Sequence, residues 1–188
     1  KATVTGAGGF IGHRLVRELA ARLGPENVSC LIRSPDQKPA LDSLGVRVAL
    51  GNLRDPEAVR RLCEKAGILF HLAARVHYGV RAIGEAEFFR ENAEGTRCLL
   101  ENSPVSVRRL VHMSSINAVE RPPGDPCRTP LTEQSPSRPR TSYGRSKLLA
   151  EQVARQEALR RGMAHLILRP PSIVYGAGCK KDSGMDTL

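Results

Sequence analysis

Tyr143 and Lys147 could together carry a proton, because they stand four residues apart in the sequence. In a helix this spacing places both side chains on one face. A lysine ammonium beside a phenol favours the phenolate and lowers the pKa of the tyrosine. A tyrosine tuned in this way can give or take the proton of a hydroxyl near neutral pH. The alternative interpretation is an exposed helical pair with no chemical role.

Two serines, Ser114 and Ser115, directly follow the apolar segment 109–113. Ligands of open parallel sheets bind beyond the carboxyl ends of the strands. A hydroxyl at that place can hydrogen-bond a substrate carbonyl, and we assign this role to Ser115. The alternative is a pair of turn-forming serines.

A glycine-rich loop near the start of the chain has the pattern GxxGxxG, with glycines at positions 6, 9 and 12. A dinucleotide site needs a tight turn at Gly6, a close backbone approach to the pyrophosphate at Gly9 and close helix packing at Gly12. Phe10 and Ile11 open the following helix, whose N-terminal amides hold phosphates. The alternative is a glycine-rich turn without a ligand.

The end of the second predicted strand decides the kind of dinucleotide. An acidic residue there binds the ribose hydroxyls of NAD, whereas an arginine accepts the 2′-phosphate of NADP. Here the strand runs into Arg33, and the first carboxylate comes only at Asp36. We therefore favour NADP over NAD as the cofactor. The alternative for Arg33 is a solvated loop charge.

Short apolar runs alternate with amphipathic stretches along the chain, which predicts an α/β fold of the Rossmann type, a doubly wound parallel sheet. This order brings Gly6, Ser115 and the helix of Tyr143 to the same edge of the sheet. The predicted strands are 2–5, 28–32, 46–50, 68–74, 109–114 and 165–168, and the predicted helices are 10–23, 56–65 with Asp55 as its cap, 85–100 and 142–161.

Length and composition indicate one soluble domain, since the chain has 188 residues, of which 40% are hydrophobic and 26% charged. No apolar stretch approaches the roughly 18 residues of a membrane helix, and no secretory signal opens the chain. The five cysteines are scattered and form no CxxC pair, which argues against disulfides and a metal site. We expect a cytoplasmic protein.

The formal net charge of +10 could indicate a nucleic-acid partner. However, the basic residues are spread thinly, and the chain has no tryptophan for base stacking. The expected partner is a small molecule, and the basic surface favours an anionic cofactor or substrate.

Taken together, the motifs resemble the extended, epimerase/dehydratase-like branch of the short-chain dehydrogenase/reductase superfamily, which includes 3-beta-hydroxysteroid dehydrogenase-like members. The resemblance covers nearly the whole chain. It rests on TGAGGFIG at 5–12, GNLRD at 51–55, HLAA at 71–74, ENAEGT at 91–96, VHMSS at 111–115, YGRSK at 143–147 and RPPSIVYG at 169–176.

The resemblance implies that Tyr143 is the acid/base, that Lys147 holds the nicotinamide ribose, and that Ser115 polarises the carbonyl, with Ser114 and Asn117 as neighbouring candidates. For the cofactor it implies Asn52 and Leu53 beside the adenine, Ala73 and Ala74 along the ribose and pyrophosphate, Asn92 close by, and Pro170, Ser172 and Ile173 at the nicotinamide. Members usually have Asp where Asn52 stands, which alters the adenine contact.

The resemblance also implies a division of the chain at residue 176. Residues 1–176 would form the NAD(P)-binding domain, and 177–188 a loop or the start of a C-terminal substrate domain that is largely absent. In this family, helices such as 85–100 and 142–161 form the contact of a homodimer. The apolar stripe of Leu148, Leu149, Val153 and Leu159 is also what core packing against the sheet would produce.

These observations predict an NAD(P)-dependent enzyme that transfers hydride between the nicotinamide and a secondary alcohol or ketone. A nucleotide-sugar epimerase with bound NAD is the first alternative. A dehydratase ranks lower, because the sequence after Ser115 lacks the acidic pair that such enzymes keep. A protein that binds NAD(P) without turnover is the alternative from a different class, although the presence of both Tyr143 and Lys147 argues against it.

Overall fold

The computed structural model describes residues 1–76, 84–119 and 130–171. Ser172 and Ile173 of the predicted nicotinamide site, and the predicted boundary at 176, lie outside the described residues. The strands are β1 (Ala2–Thr5), β2 (Val28–Ile32), β3 (Arg47–Leu50), β4 (Ile68–His71), β5 (Arg109–Met113) and β6 (Ala164–Leu168). The helices are α1 (Phe10–Leu23), α2 (Lys38–Asp42), α3 (Pro56–Cys63), α4 (Glu85–Phe88), α5 (Gly95–Asn102) and α6 (Ser142–Arg160).

All six strands form one parallel sheet in the order β3-β2-β1-β4-β5-β6. The chain therefore builds outward from β1 in one direction and then in the other, which confirms the predicted doubly wound Rossmann fold. Thr5 at the end of β1 pairs in register with His71 at the end of β4. The crevice of such a sheet lies where the strand order reverses, which here is between β1 and β4.

Two hydrophobic clusters cover the two faces of the sheet. Along β2, Cys30 and Ile32 belong to the cluster under α1 and α2, whereas Leu31 belongs to the cluster under α3, α5 and α6. Side chains of a strand alternate between faces, so a continuous apolar run such as β2 fits burial on both sides. The sheet is thus the middle of three layers.

The helix predicted at 85–100 is a continuous helical stretch that changes its winding. Between α4 and α5 lies a π-helical turn, Phe89–Glu94, which sequence periodicity did not predict. Such turns are rare and often stand at functional sites. The predicted strands 68–74 and 109–114 end earlier, at His71 and Met113, and the residues that follow them turn into the site.

The apolar stripe of α6 is only partly core. Val153 is buried, but Leu159 is 69% exposed, which corrects its assignment to core packing. Strand β6 lies at the edge of the sheet and exposes Leu166 and Leu168. In the described part of the chain, no helix is both long and apolar enough to cross a membrane.

The described cysteines are free thiols. Burial raises the pKa of Cys30 and of Cys63 to about 12, which keeps both protonated and unreactive at neutral pH. Cys98 is partly exposed. Among residues 1–76, 84–119 and 130–171, no group of His, Cys, Asp and Glu side chains could hold a metal ion.

Candidate active site

The glycine loop between β1 and α1 is packed so closely that side chains are excluded at two of its glycines. Gly6 has a φ of +72°, and a Cβ there would lie 2.6 Å from the amide nitrogen of Ala73. A Cβ at Gly12 would lie 2.1 Å from the carbonyl oxygen of Gly6. At Gly9 the nearest atom, the same carbonyl oxygen, is 3.3 Å away. The loop is therefore tight toward the sheet and the helix but open at Gly9.

The N-terminus of α1 has the features of an anion site. Its cap residue, Gly9, supplies no side-chain hydrogen bond, and its first turn contains no acidic residue. By contrast, Asp55 caps α3, as predicted, and Thr141 caps α6. The first amides of a helix need an acceptor, and a bound phosphate provides one. The glycine loop thus fits the pyrophosphate of a dinucleotide.

A cleft with a volume of about 280 Å³ opens beside this loop at the carboxyl ends of β1, β2, β3 and β4. It collects part of the predicted cofactor site, namely Gly6, Gly9, Arg33, Asn52, Leu53, Ala73 and Ala74. It is not lined by Phe10, Ile11 or Gly12 of the first turn of α1, nor by Asn92 or Pro170.

Three of the charged residues that line the cleft, Arg33, Arg54 and Glu91, contact one another. Arg33 stands 3.1 Å and Arg54 3.3 Å from the carboxylate of Glu91. The side-chain oxygen of Asn52 accepts the amide of Arg54 at 3.0 Å, so that acceptor is already engaged within its own turn. Sequence reasoning missed Arg54 and Glu91, although both lie inside the GNLRD and ENAEGT motifs that were singled out.

Lys147 joins α6 to β5, the strand next to the β6 edge of the sheet. Its ammonium is buried and donates a hydrogen bond of 2.7 Å to the carbonyl of Met113, the last residue of β5. Tyr143 lies one turn earlier on α6, partly buried, with its ring edge-on to Phe88 at 5.9 Å between centroids. Ser115, two residues beyond Met113, is buried and accepts the amide of Asn117 at 3.2 Å.

Burial lowers the pKa of Lys147 to about 8, and the negative charge of Glu151 counteracts part of this fall. Two buried histidines, His71 and His112, stand with their rings 5.0 Å apart, and the charge of Lys147 adds to the burial that lowers their pKa values. For His71 the pKa falls to about 3. Both imidazoles are therefore neutral at physiological pH.

Glu151 anchors the serine loop. Its carboxylate is 2% exposed, accepts the hydroxyl of Ser114, and forms a bidentate pair with Arg169 at 2.6 and 2.8 Å. The amide of Ser114 also donates to the carbonyl of Leu168 at 2.7 Å. Ser114, a neighbouring candidate for the carbonyl contact, is thus committed to Glu151, which leaves Ser115 as the better-placed hydroxyl. Nothing in the sequence order pointed to this contact.

Asn92 is buried and clamps two backbone segments together. Its side chain pairs with the backbone amide and carbonyl of Arg75 at 2.6 and 3.0 Å, and it donates to the hydroxyl of Ser146 at 2.9 Å. That hydroxyl in turn donates to the carbonyl of Tyr143 at 2.7 Å. Asn92 therefore ties the segment after β4 to the first turn of α6.

A buried chain of hydrogen bonds runs from β1 to the same clamp. His71 contacts the hydroxyls of Thr5 and Thr96 at 2.7 and 2.8 Å, and Thr96 donates to the carbonyl of Asn92 at 2.6 Å. The Thr5 hydroxyl also accepts the amide of Ala73 at 3.3 Å. The sequence offers one signal for these hydrogen bonds, namely the histidine in the otherwise apolar HLAA motif, to which sequence reasoning assigned no role.

Comparison with known proteins decides the family. The model of the NAD dependent epimerase/dehydratase family matches residues 2–187. The chain belongs to this family. The predicted resemblance to extended short-chain dehydrogenases/reductases is therefore confirmed. Sterol demethylase protein B of Methylococcus capsulatus is 40% identical over 91% of this chain and 51% of its own length. UDP-glucose 4-epimerase of Streptomyces lividans is 29% identical over 87% of this chain and 49% of its own length.

Solved structures in the family share the fold of this chain. A short-chain dehydrogenase/reductase superfamily protein from Agrobacterium tumefaciens with bound NAD has a TM-score of 0.74 and 29% identity, over 89% of this chain and 48% of its own. A dTDP-glucose 4,6-dehydratase variant from Streptomyces venezuelae, also with NAD, has a TM-score of 0.75 and 27% identity, over 90% of this chain and 55% of its own. The chain spans about half the length of the curated relatives it matches.

Proposed function

We propose that this chain is the cofactor-binding and proton-transfer part of an NAD(P)-dependent oxidoreductase acting on a secondary alcohol or ketone, with residues 1–176 as its dinucleotide-binding domain. The observation that carries the proposal is the hydrogen bond from Lys147 to Met113. It fixes the helix of Tyr143 beside Ser115, at the same edge of the sheet as the glycine loop and its cleft. In this proposal the proton carrier, the carbonyl donor and the dinucleotide cradle act together at the carboxyl edge of the sheet.

In this proposal the protein residues manage the proton while a bound nicotinamide supplies or accepts the hydride. Tyr143 gives a proton to, or takes it from, the substrate oxygen through its phenol. The ammonium of Lys147, one turn away, favours the phenolate of Tyr143. Ser115 donates its hydroxyl to the substrate oxygen and so fixes the carbonyl in place.

The residues of the cleft fit the rest of the dinucleotide. The amides at the start of α1, including Phe10 and Ile11, would hold the pyrophosphate, with Gly6, Gly9 and Gly12 allowing its approach. Arg33 would receive a 2′-phosphate, which is why we favour NADP over NAD. The remaining contacts are those implied by the family: Asn52 and Leu53 at the adenine, Ala73 and Ala74 along the ribose and pyrophosphate, Asn92 nearby, and Pro170, Ser172 and Ile173 at the nicotinamide.

An epimerase is the second candidate, because UDP-glucose 4-epimerase is among the relatives. An epimerase returns its cofactor unchanged and has no need for the NADP pool, so Arg33 at the end of β2 favours the reductase. Ceramide reductase of Caulobacter vibrioides, 31% identical over 98% of this chain, supports the same choice.

Replacing Gly9 by alanine is expected to weaken dinucleotide binding without unfolding the protein. Gly9 has an extended backbone that alanine adopts freely, and its Cβ would meet only the Gly6 carbonyl, at 3.3 Å. The methyl group would instead occupy the face of the loop that a pyrophosphate approaches. In titrations of NADPH and NADH followed by nicotinamide fluorescence, we expect affinity to fall by at least about tenfold, the loss of one charge-assisted hydrogen bond.

The matched control is Gly84→Ala, at the N-terminus of α4, where a Cβ meets nothing within 4 Å. This variant should bind like the wild type, and both variants should unfold at nearly the same temperature. Unchanged binding by Gly9→Ala, or no binding of either dinucleotide by the wild type, would contradict the dinucleotide site.

Turnover tests the second half of the proposal. The wild type should consume NADPH in the presence of a panel of ketones, and Tyr143→Phe should slow this consumption by about 10²–10⁴-fold, the range for loss of a general acid. Binding of NADPH should be unchanged in this variant. If both proteins bind NADPH tightly but neither consumes it when a ketone is added, the protein binds the dinucleotide without hydride transfer.

A further inference from the structure

We propose that Glu91 is an internal counterion that holds Arg33 and Arg54 until a 2′-phosphate displaces it, and that this exchange sets the preference between NADP and NAD. The inference rests on the proposed dinucleotide site and deepens it. It assigns to Arg54 the role of a second phosphate ligand, and to Glu91 the role of the competing anion.

The contacts of Glu91 engage both of its carboxylate oxygens. One oxygen lies 3.1 Å from the guanidinium of Arg33, and the other lies 3.3 Å from that of Arg54 and 3.9 Å from that of Arg90. Three guanidinium groups therefore share one carboxylate, and positive charge is left over. A phosphate monoester carries about −1.5 to −2 charges at neutral pH. Such a group would balance this charge better than the single carboxylate does.

The three partners come from three separate segments of the chain. Arg33 follows β2 and Arg54 follows the neighbouring β3, whose ends are held in register by the pairing of Ile32 with Leu50. Glu91 comes from the π-helical turn Phe89–Glu94. Two guanidinium groups that reach one carboxylate can offer their N–H donors to one phosphate, which planar guanidinium groups bind well.

Burial explains why Glu91 is the group that matters. Its side chain is 17% exposed, whereas the side chains of Arg33 and Arg54 are 62% and 39% exposed. The arginines can therefore turn to an incoming anion through solvent, but the carboxylate is held near them. A carboxylate kept at this distance attracts the arginines in the free protein and repels a phosphate that binds to them. It thus lowers the affinity for NADP selectively.

Calorimetric titration of four ligands tests this exchange: NADPH, NADH, 2′,5′-ADP and 5′-AMP. For Glu91→Gln we expect NADPH and 2′,5′-ADP to bind about two- to fivefold more tightly, because the carboxylate no longer competes for arginines that are themselves exposed to solvent. For Arg54→Leu we expect both ligands to bind about tenfold more weakly. NADH and 5′-AMP should change by less than about twofold in either variant.

The control for charge is Glu94→Gln. Glu94 lies in the same π-helical turn and pairs with Arg97 at 3.6 Å, but it does not line the cleft. This variant should leave all four affinities unchanged. An equal gain here would mean that net charge alone, and not the counterion of Arg33 and Arg54, sets the affinity, and the proposal would be wrong.

Other outcomes also separate the proposals. Weaker NADPH binding by Glu91→Gln would make Glu91 a brace that positions the arginines, and an unchanged NADPH to NADH ratio would remove it from selection altogether. Either result overturns this inference while wild-type binding leaves the dinucleotide site intact. A further titration uses inorganic phosphate alone. If it binds as tightly as 2′,5′-ADP, the arginines form a general anion site and the inference is wrong. Failure of every ligand to bind would refute the proposed function itself.

Discussion

Replacing Glu151 by alanine is expected to lower the free energy of unfolding by about 3–5 kcal/mol, the usual cost of removing one partner from a buried ion pair. Glu151 is 2% exposed and holds Arg169, whose side chain is 21% exposed. Without the carboxylate, this guanidinium and the nearby buried ammonium of Lys147 both lose their compensating charge. The hydroxyl of Ser114 also loses its acceptor. Urea unfolding followed by circular dichroism measures the change.

Two further variants test this prediction even if Glu151→Ala does not fold. The double variant Glu151→Leu with Arg169→Met removes both charges of the pair and should recover part of the stability, because the unpaired guanidinium is gone, although the ammonium of Lys147 still lacks the charge of Glu151. Glu18→Ala is the control on a surface helix, where the partner Arg22 is 3.7 Å away and both side chains are mostly exposed. It should cost less than about 0.5 kcal/mol. A loss as small at Glu151 would contradict a role for this pair in stability.

Lys147→Met is expected to change how stability depends on alkaline pH. Burial lowers the pKa of Lys147 from 10.5 to about 8, so between these values the unfolded chain binds a proton that the folded protein does not. The free energy of unfolding of the wild type therefore increases as the pH is raised from about 8 to 10.5, and it decreases by the same amount when the pH is lowered again. The full difference corresponds to roughly 3 kcal/mol. Relative to Lys147→Met, the wild type should gain about this much between pH 7.5 and 10.5.

Urea unfolding of both proteins at pH 7.5, 9 and 10.5 measures this difference. The thiols of Cys30 and Cys63 also make stability depend on alkaline pH, because burial raises their pKa values to about 12. Both proteins contain them, so their contribution cancels in the comparison. The control is Lys38→Met, which removes a half-exposed lysine of α2 that pairs with Asp42. If the stability difference at Lys147 stayed constant with pH, or if Lys38→Met gave the same slope, burial of the ammonium would not be its cause.

The sequence was sufficient for the fold because its signals were local. The strands at 2–5 and 28–32 are short apolar runs, and the helix 10–23 begins at the glycine loop and ends at Gly24, so each element could be read within its own window. The parallel order then followed from the alternation of strands and helices. Helix α2 was missed because Lys38–Asp42 is too short to show a period.

The site was predicted only in part, because its decisive contacts join residues far apart in the chain. The motif YGRSK could be recognised as a unit, but the acceptor of Lys147 is the backbone carbonyl of Met113, which no side-chain pattern can reveal. In the same way, Glu151 looks like one more charge on a helix until Ser114 and Arg169 are brought to it. Sequence spacing predicts neighbours along an element, not partners between elements.

In the proposed enzyme, the π-helical turn Phe89–Glu94 would link the binding of the cofactor to the position of the helix that carries Tyr143. Its i→i+5 winding is wider than that of an α-helix, and the successive residues Glu91 and Asn92 both turn inward. Glu91 contacts Arg33 and Arg54, and Asn92 donates to the hydroxyl of Ser146 on α6. If a 2′-phosphate displaces Glu91 as proposed, the displacement occurs one peptide bond away from Asn92, whose contact supports the turn of α6 that carries Tyr143. We expect the two dinucleotides to differ in turnover rate as well as in affinity.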